Sequence, residues 1–191
     1  MTEKTWKATL DYFGLEGQVA IVTGAGNGIG EATATMLANL GAKVAVCDIE
    51  IARAERVAQN ITNCGGTAIA VACDVGSQEQ IERAVEEVAA QLGSIDILVN
   101  NAGIIRYGRP EEMTYKDWTD VLNIDVTGTW LMSKEVVNVY MGEHGGKIVN
   151  INSVNSFSAS PVAPVYHVAK AAEAAPAKQA KARGGVRPHS R

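Results

Sequence analysis

The stretch from Val19 to Glu50 constrains this chain more than any other, because it spells strand, glycine turn, helix, strand and acidic end in that order. Val19-Ala20-Ile21-Val22 is a short apolar, β-branched run of the kind that forms a buried strand. Thr23-Gly24-Ala25-Gly26-Asn27-Gly28-Ile29-Gly30 follows directly. Glycines at 24, 28 and 30 permit a sharp turn and a close backbone approach to a ligand. Residues 31–40 are good helix formers, and Ile29, Ala32, Met36, Leu37 and Leu40 recur at helical spacing, which predicts an apolar stripe. The N-terminus of that helix points its free N–H groups into the turn, where an anion is favoured. Gly41 ends the helix, residues 43–47 predict a second strand, and Asp48 stands at its tip, 18 residues after Gly30. A carboxylate about 20 residues past such a turn can accept both hydroxyls of an adenosine ribose. Together these features imply a dinucleotide site, with Asn27 and Ile29 in the turn beside the glycines.

The rest of the chain repeats the alternation. Residues 51–61 predict a helix closed by Gly65-Gly66, and residues 67–73 a third strand closing at Asp74-Val75. Ser77 is placed to cap a helix whose stripe is Ile81, Ala84, Val85, Val88 and Leu92, with Gly93 as its stop. Residues 95–99 predict strand four, running into Asn100-Asn101-Ala102-Gly103. A long helical stretch follows over roughly 115–140, with Trp118, Trp130, Leu131, Val136 and Tyr140 as packing residues. Residues 147–151 predict strand five, and a last helix begins near Val165. Strands alternating with helices imply an α/β fold: a doubly wound parallel sheet between two helix layers, three layers in all. Ligands of such sheets sit beyond the carboxyl ends of the strands, where Gly24, Asp48, Asp74, Asn101 and Ser153 all fall.

Length and charge narrow the function. The 191 residues suit one domain, 18–175, between a polar lead-in, 1–17, and an atypical basic tail, 176–191. The net charge of −4 argues against a nucleic-acid partner, although residues 172–191 carry five Lys/Arg against one Glu, so that 1–171 sum to −8. That tail reads as a solvated end. Cys47, Cys64 and Cys73 have neither C-x-x-C spacing nor a histidine cluster, so no metal and no disulfide framework are expected. The lead-in lacks an apolar signal core, and no apolar run has membrane-spanning length, so a cytoplasmic protein with no membrane partner is expected.

Tyr166 and Lys170 lie four apart at the start of the last helix and therefore share a face. An ammonium that close favours a phenolate, which suits Tyr166 to accept a proton from an alcohol or return one to a ketone. Ser153, 13 residues earlier, is placed to hydrogen-bond the same substrate oxygen. A bare Y-x-x-x-K is most often a solvated surface pair; after strand five of a dinucleotide fold the balance reverses.

With these residues assembled, the chain resembles the short-chain dehydrogenase/reductase family. Thr23-Gly24-x-x-x-Gly28-x-Gly30, Asn100-Asn101-Ala102-Gly103, Ser153 and Tyr166-x-x-x-Lys170 match its motifs in order and approximate spacing, over about residues 15–171. The resemblance implies a Rossmann-like fold and hydride transfer between NAD(H) and a secondary alcohol or ketone. It makes Tyr166 the proton-transferring residue, Ser153 the substrate-oxygen partner and Lys170 the ligand of the nicotinamide ribose. Asp74 and Val75 would lie along the adenine, and Asn101, Ala102 and Gly103 along the cofactor's ribose. Asp48 would select NAD by repelling a 2′-phosphate, with Arg53 close in sequence as a competing cation. Ile104, Ile105, Tyr107, Asn155, Phe157, Val162 and His167 would bound a mixed pocket for a small-molecule alcohol. Family members commonly pair through the long helix and the Tyr-bearing helix, so a homo-oligomer is expected.

Two departures from the family stand out. Where relatives carry an Asn that supports a water relay to the Lys, this chain aligns Asp125, with Asn123 as the alternative if the register shifts. After Lys170 the family's last two strands, cofactor loop and lid are replaced by an Ala-rich run with Pro176 and a glycine-arginine tail. A proline inside that helix would cost about 3 kcal/mol or more. Loss of the reading frame, or truncation, shortly after Lys170 is the expectation. A catalytically incompetent remnant that binds NAD or a partner subunit without turnover is the alternative reading.

Overall fold

The structure is a computed structural model that describes residues 13–158 and 161–182. Five strands form one sheet: β1 Val19–Thr23, β2 Lys43–Asp48, β3 Thr67–Ala72, β4 Ile97–Asn100 and β5 Lys147–Asn150. Their order is β3-β2-β1-β4-β5, and every neighbouring pair is parallel. β1 lies in the middle and is buried along its whole length, which is why it reads as an unbroken apolar run rather than an alternating one. The order reverses between β1 and β4, so the crevice beyond Thr23 and Asn100 is the switch point at which such sheets take ligands.

Helices α1 Gly28–Asn39, α2 Ile51–Asn63, α3 Gln78–Leu92 and α5 Thr129–Val136 belong to the same unit as the sheet. Ala34 and Ala38 of α1 and Ala54, Val57, Ala58 and Ile61 of α2 pack with Ala20, Val22, Val44, Val46, Ile97 and Val99. Small residues let these helices sit close to the strands. α3 packs on β2, β3 and α5, and α5 on β4. Ser77 caps α3 by accepting from the Gln80 N–H, and Gly93 closes it in the left-handed region. The expected stripe on α1 is displaced, however. Ile29, Met36 and Ala32 face outward, and Gly30, Ala34 and Ala38 are the buried residues. Alanine spacing, rather than the larger apolar side chains, sets the face that meets the sheet.

At β5 the sheet stops with apolar residues showing: Ile148 is 40% and Val149 47% exposed. Among the described residues no further strand follows. No helix among them is long and apolar enough to cross a membrane.

Residues 104–127 and those from 152 onward make a second compact unit. It holds α4 Tyr115–Val121, the π-helical segment Leu122–Gly128 up to Thr127, the short turn Val154–Ser156 and α6 Pro164–Ala182. Thr114 and Asp117 form a reciprocal capping box at the start of α4. Val121, Val165 and Ala169 make its buried apolar cluster, with Ile104, Met113, Leu122 and Val126 against it.

Three expectations change here. The stretch over 115–144 is helical but changes winding, with π-helical segments at Leu122–Gly128 and Val137–Met141. Trp118 and Trp130 are exposed rather than packed, whereas Leu131 and Val136 are buried; Lys134 covers part of Trp130, its Nζ 5.4 Å from the ring centroid. α6 does not stop at Pro176 but runs to Ala182. A proline removes one helical hydrogen bond without forbidding helical torsions, so the segment expected to begin a tail at 176 continues the helix. The lead-in residues 1–12, with Trp6 and Tyr12, and the tail residues 183–191 lie outside the described residues.

Candidate active site

In the sheet unit, the glycine turn after β1 is tied from two sides. Thr23 Oγ1 accepts the N–H groups of Asn101 and Ala102, both at 3.0 Å. Asn101 Nδ2 donates back to the carbonyls of Thr23 and Gly24 at 2.9 and 3.1 Å. The Asn-Asn-Ala-Gly segment after β4 therefore holds the turn in shape. A Cβ on Gly30 would collide with the Gly24 carbonyl and the Asn101 amide, so only glycine fits there. Gly28 differs. Its φ of +56° suits glycine, yet a Cβ there would meet nothing within 4 Å, so the left-handed residue faces open space at the first turn of α1.

Asp48, 7% exposed at the end of β2, has its carboxylate fixed by backbone. Oδ2 accepts from the Gly26 N–H at 2.8 Å and Oδ1 from the Glu50 N–H at 3.0 Å. Gly26, which the motif leaves as an unspecified residue, proves as constrained as the glycines counted in it. A Cβ there would sit 2.6 Å from Arg53 Cβ and 2.7 Å from Asp48 Oδ2. The two cations nearby are engaged. Arg53 pairs with Glu50 at 2.9 Å, and Arg56 bonds both oxygens of Glu31 and the Gly26 carbonyl at 2.8 Å. Asp74 Oδ1 accepts the Gly76 N–H at 2.8 Å, and Val75 is nearly buried. This cradle fits a dinucleotide: open space at a helix N-terminus, a backbone-only floor, and a preset carboxylate at the neighbouring strand end.

The helical unit gathers the other set. Tyr166 and Lys170 lie one turn apart on α6, and Lys170 Nζ is 5.6 Å from the centroid of the Tyr166 ring. Ser153 caps the Val154–Ser156 turn, its Oγ accepting from the Asn155 N–H at 3.2 Å. His167 Nδ1 meets the Asn155 carbonyl at 3.1 Å, which ties that turn to α6. Tyr107 and Phe157 are largely exposed and Val162 half-exposed, so these expected pocket residues stand on the surface of this unit.

Between the two candidates for the fourth role, Asp125 is fully buried and Asn123 exposed. Asp125 Oδ1 accepts the Ile104 N–H at 2.8 Å, and Oδ2 stands 3.4 Å from Lys170 Nζ. Glu173, which no motif flags, is 5% exposed and bonds Lys170 Nζ through both oxygens, at 2.9 and 3.0 Å. Burial pushes the Asp125 carboxyl up, against the pull of the Ile104 N–H and Lys170. It pushes Glu173 up as well, against its bond to Lys170. For Lys170, burial works against the charge, but the Glu173 bond and the charges of Glu173 and Asp125 outweigh it and hold the ammonium on. Lys170 is thus a dry, charged ammonium beside a phenol.

A family profile described as short chain dehydrogenase matches residues 18–183. The chain belongs to the short-chain dehydrogenase/reductase family. It is 41% identical over 141 residues to a D-threitol dehydrogenase from Mycolicibacterium smegmatis, a match covering 74% of this chain and 54% of that protein. Among solved structures it resembles a gluconate 5-dehydrogenase from Burkholderia cenocepacia in complex with NADP and tartrate, with a TM-score of 0.85 and 34% identity, over 92% of this chain and 69% of that one. A short chain dehydrogenase/reductase from Burkholderia phymatum in complex with NAD gives a TM-score of 0.84 at 28% identity, over 88% and 60% of the two chains. This short-chain dehydrogenase/reductase chain spans about half the length of the curated relatives it matches.

Proposed function

We propose that the chain is an oxidoreductase that interconverts a secondary alcohol and a ketone with NAD(H). The observation that carries this is the buried Lys170 ammonium 5.6 Å from the Tyr166 ring, a constellation suited to moving a proton at the Tyr166 hydroxyl. In oxidation, Tyr166 Oη takes the alcohol proton, and the Ser153 hydroxyl donates to the same substrate oxygen. In reduction, Tyr166 Oη returns the proton to the carbonyl oxygen. Lys170 holds its charge beside the phenol and binds ribose hydroxyls. Asp125 and Asn123 compete for the remaining positioning role, and the burial of Asp125 against Lys170 favours Asp125. When bound, the nicotinamide supplies the hydride acceptor or donor. Gly24, Asn27, Gly28, Ile29 and Gly30 form the pyrophosphate turn, with Asp74 and Val75 toward the adenine and Asn101, Ala102 and Gly103 toward the ribose.

NAD is the cofactor we assign. Asp48 would accept ribose hydroxyls through the lone pairs its two backbone bonds leave, and a 2′-phosphate there meets a fixed negative charge. Both nearby arginines already have carboxylate partners. The D-threitol and gluconate dehydrogenases among the relatives make polyols and sugar acids the first substrates to try. Asp48→Ser tests the cofactor assignment: the preference for NAD over NADP should fall by about tenfold or more, the equivalent of ~1.4 kcal/mol. An unchanged preference would remove Asp48 from that role. The exposed Trp130, Val137 and Val139 support assembly of like subunits through the long helix.

A further inference from the structure

The proposed proton transfer leaves Glu173 without a task. It sits one helical turn beyond Lys170, where an apolar side chain would be buried at far lower cost than an acid. Its position is nonetheless fully specified. Both of its oxygens bond Lys170 Nζ, at 2.9 and 3.0 Å, while Asp125 Oδ2 approaches the same ammonium at 3.4 Å. The Tyr166 ring is a further neighbour, its centroid 5.6 Å away. Glu173, Asp125 and Tyr166 are thus ionisable groups that face the ammonium. His167, next to Tyr166, has its Nδ1 turned to the Asn155 carbonyl.

Two carboxylates therefore share one ammonium in a buried site. Charges in such a site are poorly screened, so a carboxylate placed against Nζ subtracts from the positive potential the ammonium sets up around it. Asp125 alone would satisfy the need for a counter-ion, and its other oxygen is anchored by the Ile104 N–H. The second acid goes beyond that need. Its bidentate contact fixes the ammonium on one side, and its charge weakens what the ammonium does on the other.

We propose that Glu173 is a positioning residue of this site, which clamps the Lys170 ammonium through both carboxylate oxygens and sets how much of its positive charge reaches the Tyr166 hydroxyl. This rests on the reading of Tyr166 and Lys170 as the proton-transfer pair. With both acids against Nζ, less of the ammonium's charge is felt at the Tyr166 hydroxyl than with a single acid partner.

The test uses Glu173→Gln, which keeps the shape and one acceptor but removes the charge. Lys170 retains Asp125, so no ammonium is orphaned. The readout is the tyrosinate absorbance step that Tyr166→Phe deletes from the pH titration of the full chain, and it requires neither cofactor nor turnover. In Glu173→Gln that step should move to lower pH by about one unit. Glu173→Asp, which restores the charge one methylene further back, should give a smaller shift in the same direction. If the Gln variant does not fold, the Asp variant decides the matter alone. An unmoved step in whichever variant folds, with only the thermal midpoint changed, would overturn the proposal and leave Glu173 a structural acid. Where the chain turns over alcohol, the acid limb of kcat should follow the absorbance step. A chain that shows the shift but no turnover with any alcohol would instead count against the proposed function and leave the placement of Glu173 standing.

Discussion

In the sheet unit the interior is aliphatic, and the polar groups around the glycine turn are answered by backbone. Asp48 is bonded by the Gly26 and Glu50 N–H groups, and Thr23 and Asn101 are locked to each other around the glycine turn. In the helical unit the apolar cluster is small, and beside it Asp125, Lys170 and Glu173 are buried together. Backbone partners are supplied by the fold itself and do not titrate. Side-chain partners can lose a proton or be substituted singly, and each then leaves the others stranded. On the proposed function, the sheet unit offers a preset seat for a ligand, whereas the helical unit offers a charge tunable by one residue.

Removing the cation should show this most sharply. Lys170→Met leaves two buried carboxylates facing each other and should cost about 3–5 kcal/mol in urea unfolding. Ile21→Ala, in the middle strand and 0% exposed, should cost a comparable ~2–5 kcal/mol by opening a cavity. The two differ in pH dependence. Lys170 holds its proton above the ordinary value of 10.5, so the stability its charge contributes is complete below that value and is lost as pH rises through the raised one. The wild-type advantage over Lys170→Met should persist through neutrality and shrink in strong alkali. The raised Asp125 and Glu173 carboxyls favour the folded state below their ordinary values, so acid should restore part of the stability of the Met variant. The Ile21→Ala deficit should be nearly flat over the same range. A flat Lys170→Met deficit would break the contrast between the units.

A smaller effect marks the dry interior of the sheet unit. Cys47 and Cys73 are buried and Cys64 exposed. Burial, with Asp74 adding to it, pushes the Cys73 thiol up to about 12, and burial pushes Cys47 up too. Thiolate is the reactive form. A thiol reagent at mildly alkaline pH should therefore titrate one cysteine in the native chain and three after denaturation. Reaction of two or three in the native chain would show that the sheet core opens.

What could be read from residues follows the same division. The strands, the Ser77 cap, the Gly93 stop and Asp48 depend on local chemistry and on periods of two and 3.6, and all stand in the structure as expected. Gly26 escaped notice because the clash it avoids is with Asp48 and Arg53, more than twenty residues on. The outward turn of Ile29 and Met36 was hidden because alanines, carrying little pattern of their own, supply the packing face of α1. Glu173 was the least legible residue of the candidate site. An acid in an alanine-rich helix reads as solvent-facing, and the one available clue was its i+3 spacing from Lys170. The π-helical winding at Leu122–Gly128, the segment that carries buried Asp125, has no signature in periodicity either.

The most direct test of the central claim is NADH formation by the chain with NAD and a panel of secondary alcohols led by polyols, run beside Tyr166→Phe with NAD binding measured on both. The account predicts turnover that falls by about 10²- to 10⁴-fold in the Phe variant while NAD affinity stays nearly unchanged. Equal turnover in the two would remove Tyr166 from the chemistry. NAD binding with no turnover on any alcohol would contradict the claim and establish a chain that keeps the cofactor seat without the reaction.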